Sequence, residues 1–540
     1  KINDIMMNLE FWQKVIEKHW GIKSKLSSLE GEFDLNILVS TTDDDNHFVL
    51  KIMREDCLHD FVDMQIQALN QLKLKVPEIP FPEIVDTLSG KKFIQCIDAS
   101  GNNRFLWLIK KLPGQKYANY KRKNLNLIHE LGQMIAQCDS ALRSFEHSFL
   151  DRDLKWNLVE ASWIENYIDL IEDPKRKIII KNVANDYKNI LPKLQDQPFQ
   201  AIHGDINDHN ILVDGCLDEQ PRISGILDFG DMCLCPRVCN LAIAGAYIVL
   251  DREQPEVALT SLIQGYNVKL KLTSDELDLI WPLLKMRLAV SVINSTLMSK
   301  DDPKDPYITV SQVPAWRFLE RKTENSKFIA ARLRSVCNKP VVEGADRILQ
   351  YLDQKRGSFA KIFDFDLSSV PMGSLSVENS HWPENPFSLL PDEAVKVGSD
   401  IIGKDGIWMG YYNEPRLIYA EPAFQNGPWK ASGRRTVHLG IDIFGPANTQ
   451  IFAPIDGKVV MAENRTGYLD YGGVIILEHE TPDGDLFFTL YGHLDPKCLK
   501  RIKIGDLIQS GLVFCSLGDS ESNGGWAPHL HFQLSLMTDG

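Results

Sequence analysis

Apolar and polar positions divide the chain into a β-rich stretch, a long helical stretch and a second β-rich stretch. Residues 29–53 are strand-like. Asn36-Ile37-Leu38-Val39-Ser40, a polar turn over 41–46 and His47-Phe48-Val49-Leu50-Lys51-Ile52 together predict a hairpin. Apolar residues recur at helical spacing over 60–74, and Pro77 closes that pattern. Further strands are predicted over 93–95 and 105–109. From 125 to 147, and mostly on to 338, the pattern is helical apart from short strand–turn units over 203–231. Residues 1–20 form an amphipathic helical pattern without a signal-peptide apolar region. The longest strongly apolar stretch, 240–250, is far shorter than the roughly 20 residues a bilayer span needs, and it predicts a buried helix.

Residues 339–398 change character. Pro340, Pro371, Pro383, Pro386 and Pro391 punctuate them, and a linker or extended wrapping segment is expected over 339–402. From 403 onward the text is strands and turns, with strands predicted over 449–460, 473–479, 486–491, 512–517 and 529–536. The expected organisation is a β-rich lobe and a helical lobe within 1–338, then a small all-β domain over 403–540. The chain opens at Lys1 without an initiator Met and ends directly after a strand-like run, which suggests a piece of a longer polypeptide.

At 540 residues the chain is too long for one hydrophobic core. With 44% hydrophobic and 24% charged residues it is not a disordered or fibrous sequence. Asp and Glu outnumber Lys and Arg by 73 to 59, a net charge of −14. Without a basic tract, such a chain is no general binder of nucleic acid or of an anionic membrane. Ten cysteines show no framework spacing. Cys233, Cys235 and Cys239 lie close together, but no second pair completes a zinc-finger set, so buried reduced thiols and a cytoplasmic location are expected.

Two constellations carry chemistry. In His203-Gly204-Asp205-Ile206-Asn207-Asp208-His209-Asn210, an Asp and an Asn stand five residues apart in a turn before an apolar strand. Ile226-Leu227-Asp228-Phe229-Gly230-Asp231 then presents a further carboxylate at a strand end. Phosphoryl transfer needs one carboxylate to orient the acceptor hydroxyl, and an amide oxygen with a second carboxylate to hold Mg²⁺. The pattern resembles the aminoglycoside phosphotransferase and choline-kinase family, with its H-G-D-x-x-x-x-N loop and D-F-G motif. It is most similar to the hydroxylysine-kinase branch, through Leu112-Pro113-Gly114 and the runs 131–156 and 307–316. The resemblance implies Asp205 as catalytic base, Asn210 and Asp228 as Mg²⁺ ligands, Lys51 as an ATP-phosphate contact and Gly31 in the nucleotide-covering turn. Two positions depart from the family: Gln65 replaces the helix Glu that pairs with the Lys, and Asn240 replaces an Asp. Gly398-Ser399-Asp400-Ile401-Ile402-Gly403-Lys404-Asp405 nearly spells a P-loop, but Asp405 stands where a hydroxyl must hold Mg²⁺, and that reading is rejected.

The second constellation is His438-Leu439-Gly440-Ile441-Asp442, then Tyr491-Gly492-His493, then His529-Leu530-His531. Alternation puts His529 and His531 on one face of a strand. A catalytic zinc takes three N or O ligands and keeps one position open. The set resembles the lysostaphin-type zinc peptidases, which cleave peptidoglycan cross-bridges. The resemblance implies His438, Asp442 and His531 as zinc ligands, with His493 and His529 flanking the reacting water and steadying the oxyanion. His479 matches no family position and is expected to be a solvated strand residue.

The two resemblances together imply a multidomain α+β, two-lobed protein-kinase-like fold, followed by a small all-β zinc peptidase domain of the lysostaphin-like duplicated hybrid type. They imply a bifunctional enzyme: ATP- and Mg²⁺-dependent phosphorylation of an amino alcohol or hydroxylated amino acid, and Zn²⁺-dependent hydrolysis of a peptide or amide. The rival reading is a binding or scaffold chain with a degenerate kinase lobe, for which Gln65 and Asn240 speak. Similar fusions continue into a pyridoxal-phosphate aminotransferase-like domain, implied here beyond residue 540.

Overall fold

The computed structural model describes residues 9–29, 34–42, 46–215, 220–301, 312–321, 325–399, 406–425 and 435–538. Gly31, residues 307–311 of the run 307–316 and residues 400–405 of the P-loop-like stretch lie outside these. Contacts divide the chain into two compact units, Lys1–Lys339 and Pro340–Gly540.

In the first unit, helix α1 (Leu9–Trp20) buries Trp12, Val15, Ile16 and Trp20, an amphipathic stripe at helical spacing. It packs with a six-stranded antiparallel sheet of β1 (Ser24–Leu29), β2 (Leu35–Thr41), β3 (His47–Ile52), β4 (Ile84–Val85), β5 (Ile94–Ile97) and β6 (Asn103–Lys110). The order is β1-β2-β3-β6, with β4 and β5 sharing the far edge of β6. The predicted hairpin is β2–β3, in a register that sets Asn36 opposite Lys51. Helix α2 (His59–Lys75) lies between β3 and β4 in the chain.

The helical lobe contains α3 (Leu125–Leu142), α4 (Pro174–Gln195), α5 (Arg237–Ile248), α6 (Pro255–Lys269) and α7 (Ser274–Asp301). The apolar stretch predicted as a buried helix is α5, in which Val238 through Ala246 are all buried. Four short strands carry the first constellation. Phe199–Ile202 pairs with Cys233–Pro236, and Ile211–Asp214 pairs with Arg222–Ile226. Among the described residues, no helix is long and apolar enough to cross a membrane.

The second unit is built on an eight-stranded sheet. Its order is Met372–Gly373, Trp408–Gly410, Ile441–Phe444, His529–Ser535, Leu486–Leu494, Gly472–Glu480, Gly457–Arg465 and Leu507–Ile508. The strand predicted over 449–460 is two strands, Gln450–Phe452 and Gly457–Arg465, in different sheets. Pro454, which has no N–H to give a ladder, lies at the break. The proline-punctuated region is ordered within this unit. Phe363 is fully buried among Ile443, Val459 and Tyr491, and Ala345–Gln354 and Pro391–Ser399 are helices.

Candidate active sites

In the first unit, His203 fastens the turn to the strand beside it. Its Nε2–H donates to the Leu227 carbonyl at 2.9 Å, and its Nδ1 accepts the Asp205 N–H at 3.2 Å. Burial holds the ring below its usual range, so it stays neutral in that one tautomer. Gly204 has φ +82°, and a Cβ there would lie 2.2 Å from the Asp231 carbonyl oxygen, so the turn closes only with glycine. The Gly204 N–H reaches Asn240 Oδ1 at 3.3 Å, the contact to the loop that Asn can still make.

Asp205 is held on both oxygens. Oδ2 accepts from Asn207 Nδ2 at 2.7 Å and from Asn210 Nδ2 at 3.0 Å, while Oδ1 faces Arg287 Nη2 at 2.5 Å. With its amide nitrogen engaged on Asp205, Asn210 keeps its amide oxygen for a cation. Pairing of Ile211 with Ile226 sets Asn210 beside the end of the strand that leads to Asp228. Asp228 has φ 61° and a side chain 57% exposed, and Lys51 Nζ stands 3.9 Å from its Oδ1. Lys51 holds the Asp228 carboxyl below the usual carboxylate range. An amide oxygen beside an accessible, charged carboxylate fits a hard divalent cation. Gln65 is buried and bonds the Phe61 carbonyl of its own helix at 3.2 Å, so Lys51 finds its ion pair with Asp228 rather than with this helix.

Three residues of this site escaped the sequence reading. Arg287 on α7 pairs with Asp205. Arg152 clamps the metal-motif turn, giving Nη2 to the Gly230 carbonyl at 2.6 Å and Nη1 to the Met232 carbonyl at 2.7 Å. Asp231 is pushed up to about 7 by burial and by the charges of Asp205 and Asp228. The signal available for Arg287 was a cation whose neighbours along the helix, Met286, Leu288, Ala289 and Val290, are all buried.

In the second unit, three adjacent strands carry Asp442, His529, His531 and His493, and the short strand Val437–His438 of a separate two-stranded sheet brings His438. Register places Asp442 opposite His531 on one side and Gly492 opposite His531 on the other. His438, Asp442 and His531 are buried, with donor atoms within 4.8 Å of one another, the one such cluster among the described residues. His438 Nε2 lies 2.9 Å from His531 Nδ1 and 3.1 Å from Asp442 Oδ1, and His531 Nδ1 lies 3.0 Å from the same oxygen. Zinc–ligand bonds of about 2.0–2.1 Å in a tetrahedron separate ligands by roughly 3.3 Å, so these donors need to part only slightly to take the ion. Gly440 allows the approach: a Cβ there would lie 2.5 Å from His531 Cε1.

His493 and His529 complete the cluster, with ring centroids 4.0 Å apart. His529 gives its Nδ1–H to the Ala527 carbonyl at 2.7 Å, so Nε2, which stands 3.8 Å from Asp442 Oδ1, is the unprotonated nitrogen. Burial pulls His529 down to about 4 and His493 well below its usual range, so both rings are neutral. Tyr471, not singled out in the sequence, sets its ring 5.5 Å from His493 and 5.4 Å from His531. The expectation for His479 is corrected. It is buried, its Nδ1–H donates to the Asp456 carbonyl and its Nε2 accepts from Thr489 Oγ1, both at 2.7 Å. Its strand, Gly472–Glu480, is interior to the sheet and buried along nearly its whole length.

Residues 26–276 match the profile described as phosphotransferase enzyme family, and residues 436–539 match that of peptidase family M23. Hydroxylysine kinase of Mus musculus is 27% identical over 330 residues, 57% of this chain and 87% of that protein. A glycyl-glycine endopeptidase of Staphylococcus capitis is 34% identical over 108 residues, 20% of this chain and 27% of that protein. Among solved structures, an amicoumacin kinase in complex with AMP-PNP and Ca²⁺ overlaps 60% of this chain and 96% of its own, with TM-score 0.46 and 14% identity. The chain thus joins a domain of the phosphotransferase enzyme family to a C-terminal domain of peptidase family M23.

Proposed function

We propose that the chain is a bifunctional enzyme. The first unit transfers phosphate from ATP to the hydroxyl of an amino alcohol or a hydroxylated amino acid, and the second hydrolyses a peptide or amide bond with zinc. The observation that carries the reading is the coexistence in one chain of two full residue sets, Lys51–Asp205–Asn210–Asp228 and His438–Asp442–His493–His529–His531. The Asn240 bond to Gly204 supports a working catalytic turn rather than a degenerate one. The described cysteines are free, and all except Cys96 and Cys498 are buried, which supports a cytoplasmic setting. In that setting the amide is an intracellular one or a recycled wall fragment.

In the kinase, Asp205 orients the acceptor hydroxyl and takes its proton, and Lys51 contacts the nucleotide phosphates. Asn210 and Asp228 would hold Mg²⁺, which when bound neutralises phosphate charge. In the peptidase, His438, Asp442 and His531 would hold zinc, which when bound supplies Lewis-acid activation of water and of the scissile carbonyl. His529 offers its unprotonated Nε2 toward the same point and accepts a proton there. His493, neutral and beside it, steadies charge on the carbonyl oxygen. Metal analysis of the purified chain, with an ATP-consumption screen over amino alcohols and hydroxylated amino acids, tests both halves. A chain that retains no zinc and consumes no ATP with any acceptor overturns the proposal.

A further inference from the structure

The match to peptidase family M23 begins at residue 436, yet a charged group from upstream of it is built into the metal cluster. Strand Glu414–Pro415 pairs with Val437–His438, which sets Glu414 opposite His438. Next along, Arg416 is 5% exposed. Its Nη1 is hydrogen-bonded to Asp442 Oδ2, and its Nε donates to Glu414 Oε2 at 2.9 Å. Glu414 is itself buried, and its Oε1 accepts Ser374 Oγ–H at 2.8 Å and the Leu375 N–H at 2.7 Å. The chain of contacts Asp442–Arg416–Glu414–Ser374 therefore runs from the metal cluster into the region that reads as linker.

This chain sorts the two oxygens of Asp442. Oδ2 belongs to Arg416, and Oδ1 alone faces His438, His531 and His529. We infer that Arg416 is a positioning residue of the metal centre, holding Asp442 so that it offers one oxygen and leaves a ligand position open. The inference rests on the zinc reading above.

Three physical points support it. A carboxylate free at both oxygens can swing to chelate, which would fill the position a catalytic zinc keeps open. The planar guanidinium reaches two carboxylates at fixed angles, which an ammonium cannot do. Glu414 cancels the charge of Arg416, so the clamp does not repel a dication from Asp442. Among the described residues Arg416 Nη2 has no hydrogen-bond partner, and the two carboxylates are what hold the guanidinium. A Cβ on Gly410 would lie 2.9 Å from that nitrogen, so the backbone there closes against it.

The test uses the whole chain with zinc, and with Co²⁺ in its place. Zinc-edge X-ray absorption of the wild type should show one carboxylate oxygen at about 2.0 Å, and the cobalt form should give the intense visible bands of four-coordination. R416M should weaken zinc binding by about tenfold to a hundredfold in chelator competition, the usual loss for an outer partner of a ligand. Its cobalt bands should fade as Asp442 chelates. R416K keeps the buried charge but not the fork and should fall between the two, and it decides the matter if R416M does not fold. Two carboxylate oxygens on wild-type zinc would overturn the inference. So would a folded R416M or R416K with wild-type affinity and the wild-type cobalt spectrum. A wild type that binds no zinc overturns the zinc reading together with this one, whereas unchanged variants of a zinc-binding wild type overturn this one alone.

Discussion

Arg287 Nη2 stands 2.5 Å from Asp205 Oδ1, and the guanidinium lies over the Trp156 ring at 4.3 Å and near the Tyr247 ring at 5.7 Å. A buried cation stacked on aromatic rings cannot drift, so it fixes the plane of the carboxylate that, in the proposed kinase, meets the acceptor hydroxyl. Asp205→Ala should lower phosphoryl transfer by about two to four orders of magnitude and leave ATP binding by calorimetry largely intact. Arg287→Met should cost roughly tenfold to a hundredfold in kcat with little change in the KM for ATP, because it loosens the base without touching the nucleotide. A KM effect without a kcat effect would count against the positioning role.

Asn240 Nδ2 donates to Asp139 Oδ1 at 2.7 Å, and Tyr266 Oη donates to Asp139 Oδ2 at 2.8 Å. The carboxyl absent from position 240 is thus supplied through Asn240 by Asp139 on α3, 101 residues earlier in the chain. Burial pushes the Asp139 carboxyl up to about 7. The folded chain therefore binds this proton more tightly than the unfolded chain, and stability falls as pH rises between about 4 and 7. The gap between about 7 and the ordinary 3.8 corresponds to roughly 4 kcal/mol as an order of magnitude. Asp139→Asn removes the titration: the amide oxygen can still accept from Asn240 Nδ2, and the amide N–H can donate to Tyr266 Oη, which then turns from donor to acceptor. The stability of its first unit relative to the wild type should rise steadily from about pH 4 to pH 7 and level off above that, in urea unfolding. A difference independent of pH would show that Asp139 stays ionised in the fold.

Much of each site was legible because its residues sit in short local motifs. Asp205 and Asn210 share one turn, and His438 and Asp442 share another. What stayed hidden is long-range: Arg287 comes from 82 residues beyond Asp205, and Arg416 from 26 residues before Asp442. No local spacing marks such partners. Strand β1 was missed because Ser-Lys-Leu-Ser-Ser-Leu buries one of its six residues, as an edge strand can. His479 was misread because a polar residue in a strand suggests a solvent face, whereas an interior strand covered on both sides has none. The prolines of 339–398 suggested a linker or an extended wrapping segment, and the segment is anchored by residues such as Phe363 and Leu375, both buried.

Gly440 tests how tightly the metal cluster is packed. A Cβ there would lie 2.5 Å from His531 Cε1 and 2.9 Å from the Phe532 carbonyl oxygen, so the ring has to move. Gly440→Ala should weaken zinc binding by roughly tenfold or more and destabilise the second unit by about 1–3 kcal/mol. Unchanged affinity in chelator competition would mean that His531 is not a ligand held in this position.

The zinc assignment itself is decided by comparing two histidines of the same cluster. His438 and Asp442 come from one motif and His531 from another, 89 residues after Asp442, so the donor set exists only when the sheet is folded. Zinc binding and folding of the second unit should therefore be linked. A chelator should lower the melting transition of that unit and leave that of the first, and zinc at a hundred times its Kd should add about 2.7 kcal/mol. His531→Ala removes a donor that meets both other ligands and should abolish zinc retention and hydrolysis together. His493→Ala should keep the metal and lose hydrolysis, since its ring lies tilted against His529 with centroids 4.0 Å apart and is no part of the converging donor set. Metal analysis of the two purified variants gives the answer. Zinc lost equally from both would mean that His493 is itself a ligand, and the three-donor assignment would fall.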